Sequence, residues 1–151
     1  MLKQDVRVDG VAYNPNAAAY VGGSGEKKYA RIFIPNQQTV WSMIWMELSV
    51  RYNYNAANGG YHGKIYVSLH HNGTSPYTWQ NLHAVAVGHH DPNLAVYASD
   101  GKYIYVLLDT TYQTVSVDKI LVGDTARSHD LSGIVVDFVD SLPSAYQTAI
   151  M

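Results

Sequence analysis

The fold is read from the stretch Gly63-Lys64-Ile65-Tyr66-Val67-Ser68-Leu69-His70. Successive side chains of an extended strand point to opposite sides, so Ile65, Val67 and Leu69 share one face and Lys64, Tyr66, Ser68 and His70 the other. This is the pattern of an antiparallel strand with an apolar inner face. Tyr103 to Asp109 repeats it: Ile104, Val106 and Leu108 point inward, leaving Tyr103, Tyr105, Leu107 and Asp109 on a face that is aromatic and only partly polar. Between the two stretches, Ser99-Asp100-Gly101-Lys102 is a hairpin signal, because Asp-Gly supplies the positive φ values of a two-residue primed turn. Asn72-Gly73 is a second turn signal.

Outward from these strands, β-branched and aromatic runs recur at Tyr29 to Ile34, Thr39 to Tyr52, Gly63 to His70, Leu82 to Val87, Leu94 to Ala98, Tyr103 to Asp109, Gln113 to Val122 and Ile134 to Val139. Gly, Asn, Asp and Pro separate them, and no amphipathic helix interrupts the series. Eight strands predict an all-β domain of two packed antiparallel sheets, a jelly-roll-like β-sandwich over residues 29–151 with a short C-terminal tail. Residues 1–28 contain Asn14-Pro15-Asn16 and Gly22-Gly23-Ser24-Gly25 and read as a leader with at most one short strand.

A chain of 151 residues that is 47% hydrophobic supports one core. With 15% charged residues and a formal net charge of −2, it lacks the basic footprint that nucleic acid requires. The absence of cysteine removes disulfides, thiolate metal sites and thiol nucleophiles. The opening Met1-Leu2-Lys3-Gln4-Asp5-Val6-Arg7 has no apolar core of a signal peptide, and no stretch is apolar enough for membrane insertion. Aromatic residues are spent unusually, as 13 Tyr and 3 Trp against 2 Phe, which favours half-wet surfaces, interfaces and sugar platforms over dry cores.

In the long strand, Val40, Ile44, Met46, Leu48 and Val50 read as core, yet the opposite parity carries Trp41, Met43 and Trp45 before Glu47. Burial on both faces points to a subunit interface at Trp41, Met43 and Trp45, and with it an oligomer. A β-bulge that swaps parity, or a cover from the leader, is the alternative.

Seven histidines include His70-His71 and His89-His90 followed by Asp91. Adjacent strand residues point to opposite faces, so each pair offers one ligand at most, and no metal or other cofactor is expected. Glu47 and Asp137 are the carboxylates least expected where they stand, within apolar strands, but nothing in the spacing marks a glycosidase pair. No catalytic residue is assigned. The loops carry Tyr54, Asn55, Tyr61, Tyr77, Trp79 and Asn81. Flat rings beside side-chain amides suit a sugar, whose C–H faces pack on the ring while its hydroxyls bond the amides. These six residues form the expected carbohydrate-binding platform.

Three segments carry a family resemblance: Gly63-Lys64-Ile65-Tyr66-Val67-Ser68-Leu69-His70-His71-Asn72-Gly73, Asp91-Pro92-Asn93-Leu94-Ala95-Val96-Tyr97 and Gly101-Lys102-Tyr103-Ile104-Tyr105-Val106-Leu107-Leu108. Together with the closing Val139 to Thr148 they resemble C-terminal domains of tailed-bacteriophage tail fibres and tailspikes. The resemblance implies a β-sandwich assembled as a parallel homotrimer, joined to upstream fibre or tailspike segments on the virion. It further implies binding to host cell-surface polysaccharide during attachment, without enzymatic activity. A purely structural trimerisation cap and a small polysaccharide-degrading enzyme are the competing readings.

Overall fold

The computed structural model describes residues 10–13, 15, 17–21, 28–35, 42–52, 61–71, 79–89, 94–107, 113–123 and 133–151. In chain order the strands are β1 (Gly10–Tyr13), β2 (Ala17–Val21), β3 (Tyr29–Phe33), β4 (Ser42–Tyr52), β5 (Tyr61–His71), β6 (Trp79–His89), β7 (Val96–Ser99), β8 (Tyr103–Leu107), β9 (Gln113–Gly123), β10 (Val135–Val139) and β11 (Gln147–Thr148). No helix occurs among the described residues. One six-stranded sheet runs β1-β9-β4-β5-β6, with β2 also on β9, and one five-stranded sheet runs β10-β3-β8-β7-β11. Every strand pairing is antiparallel, as the alternating pattern predicts.

The two sheets share one apolar core. The six-stranded sheet supplies Ile44, Met46 and Leu48, then Ile65, Val67 and Leu69, then Val115, Val117, Ile120 and Val122; the other supplies Ala30, Ile32, Val96, Ala98, Ile104, Val106 and Val136. The inward parity expected for β4 and β5 is therefore the one observed. Val40, Trp41 and Leu108 lie outside the described residues.

Four local features shape the sheets. The β7–β8 connection holds Asp100, Gly101 and Lys102 between paired Ser99 and Tyr103, with φ of 56° at Asp100 and 63° at Gly101. The Asp-Gly step thus has the conformation expected of it, in a loop one residue longer than two. In β9, Lys119 lies opposite Glu47 and Val117 opposite Leu48, leaving Asp118 as an extra, bulged residue. In β6, Asn81 and Leu82 together face Leu69, since Ser68 pairs with His83 and His70 with Gln80. Asn81 takes φ 54° there, a left-handed conformation that asparagine tolerates better than most residues. Finally, a Cβ added to Gly63 would lie 2.5 Å from the Val87 carbonyl oxygen, so the close approach of β5 and β6 at that pair requires glycine.

The leader contributes two strands, where at most one was expected. Tyr13 pairs with Ile120 and Ala17 with Val117, so β1 and β2 form one interrupted strand along β9. Pro15 stands at the interruption, where its missing N–H breaks no ladder. Ala17 and Ala19 pack against the core. The C-terminal segment closes the opposite side. Gln147 and Thr148 pair with β7, the Ala149 amide donates to the Val96 carbonyl at 2.8 Å, and Ile150 exchanges bonds with Leu82 and Ala84 of β6 at 3.1 and 3.0 Å. One short segment is thereby hydrogen-bonded to both sheets.

Candidate functional site

Of the expected platform, Tyr61, Trp79 and Asn81 are among the described residues. Tyr54, Asn55 and Tyr77 lie outside the described residues, and Tyr61 opens β5, opposite Tyr52 in register. Trp79 is corrected outright: it is the first residue of β6, only 1% exposed, and belongs to the core. Its ring meets His71 edge-on at a centroid distance of 5.1 Å, and the Gln147 side-chain amide donates to its carbonyl. Its indole Nε1 has no hydrogen-bond partner among the described residues. The physical reason is the bulge at Asn81, which turns Trp79 and Leu82 to the same side. Asn81 itself is exposed, and its backbone conformation, rather than its amide, accounts for its place in the strand.

Apart from Trp79 and Phe138, which pack in or against the core, aromatic side chains among the described residues gather on the outer faces of the two sheets. On the five-stranded sheet, register places Asp137, Arg31, Tyr105 and Tyr97 side by side in one row, and Val135, Phe33, Tyr103 and Ser99 in the next. Tyr29 meets Tyr97 at 6.0 Å and Tyr97 meets Tyr146 at 5.4 Å, both edge to face. Phe33 and Tyr103 are 5.7 Å apart, Tyr103 and Tyr105 6.3 Å. Arg31 grips Asp137 with two hydrogen bonds, of 2.9 and 2.6 Å, and lies 5.2 Å from the centre of the Tyr103 ring. The hydrogen bond to Asp137 raises the guanidinium pKa. Burial among its ring neighbours likewise pushes the Tyr97 phenol up, with Tyr29 and Tyr146 adding to the effect. The Ser99 hydroxyl donates to the Tyr105 hydroxyl at 3.3 Å. Half of this face was legible, since Tyr103 and Tyr105 were expected on a shared aromatic side.

The outer face of the six-stranded sheet is different. Met43, Val85, Val87 and Leu121 are 66%, 59%, 54% and 37% exposed. Register links them through Trp45 and Tyr66: Leu121 lies opposite Trp45, and Tyr66 opposite Val85. Trp45 and Tyr66 stack at 5.6 Å with 26° between their planes. The result is an apolar stripe that crosses β9, β4, β5 and β6 obliquely. Trp45 and Met43 do point away from the core, without a parity swap in β4, and Trp45 is half-buried against Tyr66.

A charged cluster borders that stripe at the β9 bulge. Asp118 accepts hydrogen bonds from Lys64 at 2.8 Å, from Ser116 at 2.8 Å and from Ser49, while Lys64 also reaches Glu47 at 3.0 Å. Burial alone would raise the Asp118 pKa, but the bonds from Lys64, Ser49 and Ser116 outweigh it and hold the carboxyl below its ordinary range. That is the opposite of what a general acid needs. The Lys64 ammonium is raised in turn, first by its bond to Asp118 and then by that to Glu47. Glu47 and Asp137, the carboxylates singled out in the sequence, stand on the outer faces of opposite sheets and cannot flank one sugar.

His90 and Asp91 lie outside the described residues, among which no group of three or more His, Asp or Glu side chains is placed to hold a metal. Compared with protein-family models, curated proteins and solved structures, the chain matches none of them, so its function is read from these two faces.

Proposed function

We propose that this domain is a non-enzymatic, glycan-binding tip of a tailed-phage fibre or tailspike, a jelly-roll-like sandwich working as a homotrimer on the virion. The observation that supports it is the outer face of the five-stranded sheet, where Tyr103 packs on Arg31 of the Arg31–Asp137 pair and Tyr29, Tyr97 and Tyr146 meet edge to face nearby. Such a face offers apolar ring surface for the C–H side of a pyranose, with phenol hydroxyls to bond its oxygens. The loop residues Tyr54, Asn55 and Tyr77, with Tyr61 at the start of β5, are a second candidate platform. A single shallow site binds weakly, on the order of millimolar, and three copies on one fibre tip raise this by avidity towards a repetitive polysaccharide.

The edge-to-face packing of the rings also favours a second reading, in which they only cover the sheet and the domain is a trimerisation cap. Binding to a glycan array and to host-surface polysaccharide separates the two. The parent binds, and Tyr146→Ala lowers that binding at least tenfold if the sheet face is the platform, whereas Tyr77→Ala does so if the loops are. A parent that binds no glycan leaves the cap. Release of reducing ends from the polysaccharide would replace both readings with an enzyme.

A further inference from the structure

We infer that the ligand of the five-stranded sheet lies along one row of its outer face, Val135, Phe33, Tyr103, Ser99 and Tyr146, and that it is an internal run of a neutral, linear polysaccharide. The inference rests on the glycan-binding reading proposed above and gives it a place and a length. Register sets Val135 opposite Phe33, Phe33 opposite Tyr103 and Tyr103 opposite Ser99. The β11–β7 pairing, continued by one residue, brings Tyr146 beside Ser99.

The other half of this face is covered by the chain itself. β10 and β11 are the two margins of the sheet, four strand spacings or about 19 Å apart. Val139 shares a row with Tyr29 and Leu107, and the Leu107 amide donates to the Ala95 carbonyl. Gln147 instead faces Ala98, three residues or about 10 Å further along β7. The chain from Val139 to Gln147 reaches at most about 26–29 Å, enough for the direct line of about 22 Å but without slack for a path of about 29 Å around the rim. Because the core fills the inner side, residues 140–146 cross the outer face on the diagonal, over Tyr29, Tyr105 and Tyr97. Three observations agree with that path. Leu142 and Pro143 are half-buried, the Tyr146 ring meets Tyr97, and Tyr105 is only 3% exposed although its strand turns it outward.

The ring surface left to a ligand therefore lies on the open side of the diagonal. Phe33 and Tyr103, 5.7 Å apart, form its middle, and Val135 and Tyr146, each about half exposed, form its ends. A linear pyranose chain advances by about one strand spacing per residue, so the row takes a run of about four. The charges here cancel. Arg31 is held by Asp137, and Lys102, which lies 5.9 Å from the centre of the Tyr103 ring, shares its turn with Asp100. That balance favours neutral sugars over uronates. The Arg31–Asp137 pair, partly exposed beside Phe33, offers a sugar hydroxyl a donor and an acceptor side by side.

The full chain on an array of neutral and uronate-containing oligosaccharides of increasing length tests this. The parent is expected to bind neutral chains, with affinity rising from disaccharide to tetrasaccharide and little beyond. Well below the melting points, Tyr103→Ala is expected to lower that binding at least tenfold, whereas Tyr29→Ala, the same truncation beneath the crossing segment, changes it less than twofold. Should Tyr103→Ala fail to fold, Val135→Glu, at a position 52% exposed, takes its place and is expected to cost at least fivefold. Equal losses in Tyr29→Ala and Tyr103→Ala, unchanged binding in the folded Tyr103→Ala or Val135→Glu protein, or a preference for uronates would each overturn this site and leave the glycan-binding reading standing. A parent that binds no glycan on the array would overturn both.

Discussion

On the outer face of the five-stranded sheet Tyr29, Tyr97 and Tyr146 lie edge against face and Tyr105 is buried among its neighbours, whereas on the six-stranded sheet Met43, Val85 and Val87 stay more than half exposed. Both faces look out from the same core, and both are rich in apolar atoms. The first covers itself around Tyr105, because aromatic rings are wide enough to cover one another across strands about 4.8 Å apart, and leaves only its margins at Val135 and Tyr146 about half exposed. Valine and methionine cannot do the same for the second, where the stacked pair Trp45 and Tyr66 covers only the middle of the stripe. How apolar an outer face is therefore says less about its use than how far its side chains cover each other.

The contrast is broken most strongly at Tyr105. If its face is self-covering, Tyr105→Ala removes a buried ring together with its bond to Ser99, and should destabilise the protein by about 3 kcal/mol. The melting temperature should then fall by roughly 6–12 °C for a domain of this size. A fall under about 2 °C would mean that the tyrosines merely sit on the sheet. A smaller effect is expected from acid on the other face. A carboxyl whose pKa is depressed on folding contributes stability above its unfolded value, and loses that contribution as pH falls through the folded value. Asp118 should therefore cost stability as pH drops below about 4, the ordinary aspartate range. Asp118→Asn should be less stable at neutral pH and flatter over that interval; parallel melting curves of the two proteins from pH 6 to pH 2.5 would remove the cluster from the account. The smallest change belongs to Met43→Ser, expected to shift the unfolding free energy of the isolated protomer by no more than about 0.5 kcal/mol in denaturant titration. A larger loss would mean that the stripe stabilises the protomer itself.

Much of this architecture was legible because period-two alternation is a strong signal wherever Ile, Val or Leu face polar neighbours. β3, β4, β5, β8 and β10 came out within a few residues of their bounds. The leader strands were not legible for the converse reason. Ala17-Ala18-Ala19 shows no contrast between faces, and Pro15 reads as a break although it only interrupts a strand. Trp79 was misread as a loop residue because the strand was taken to begin at Leu82; the bulge at the left-handed Asn81 breaks the alternation that would have carried the strand back to Trp79. The asparagine two residues after the tryptophan was the available signal, and it was taken for a sugar ligand. The two outer faces were partly readable within single strands, through Tyr103 and Tyr105 and through Met43 and Trp45. Their composition across strands depends on β3 lying beside β8 and on β9 lying beside β4, pairings between distant segments that no local pattern encodes.

The segment from Gln147 to Ile150 has a consequence for solubility. A strand at the margin of a sheet presents unpaired N–H and C=O groups on which another chain can build. β6 borders the six-stranded sheet, and among the described residues the groups of Leu82 and Ala84 on that border are taken by Ile150, while β7 is taken by Gln147, Thr148 and Ala149. Removing five residues from this end would thus bare two margins at once, with Trp79 and Leu82 directly behind one of them. Such a protein would keep most of its core, and its first failure would be precipitation by edge-to-edge growth rather than unfolding.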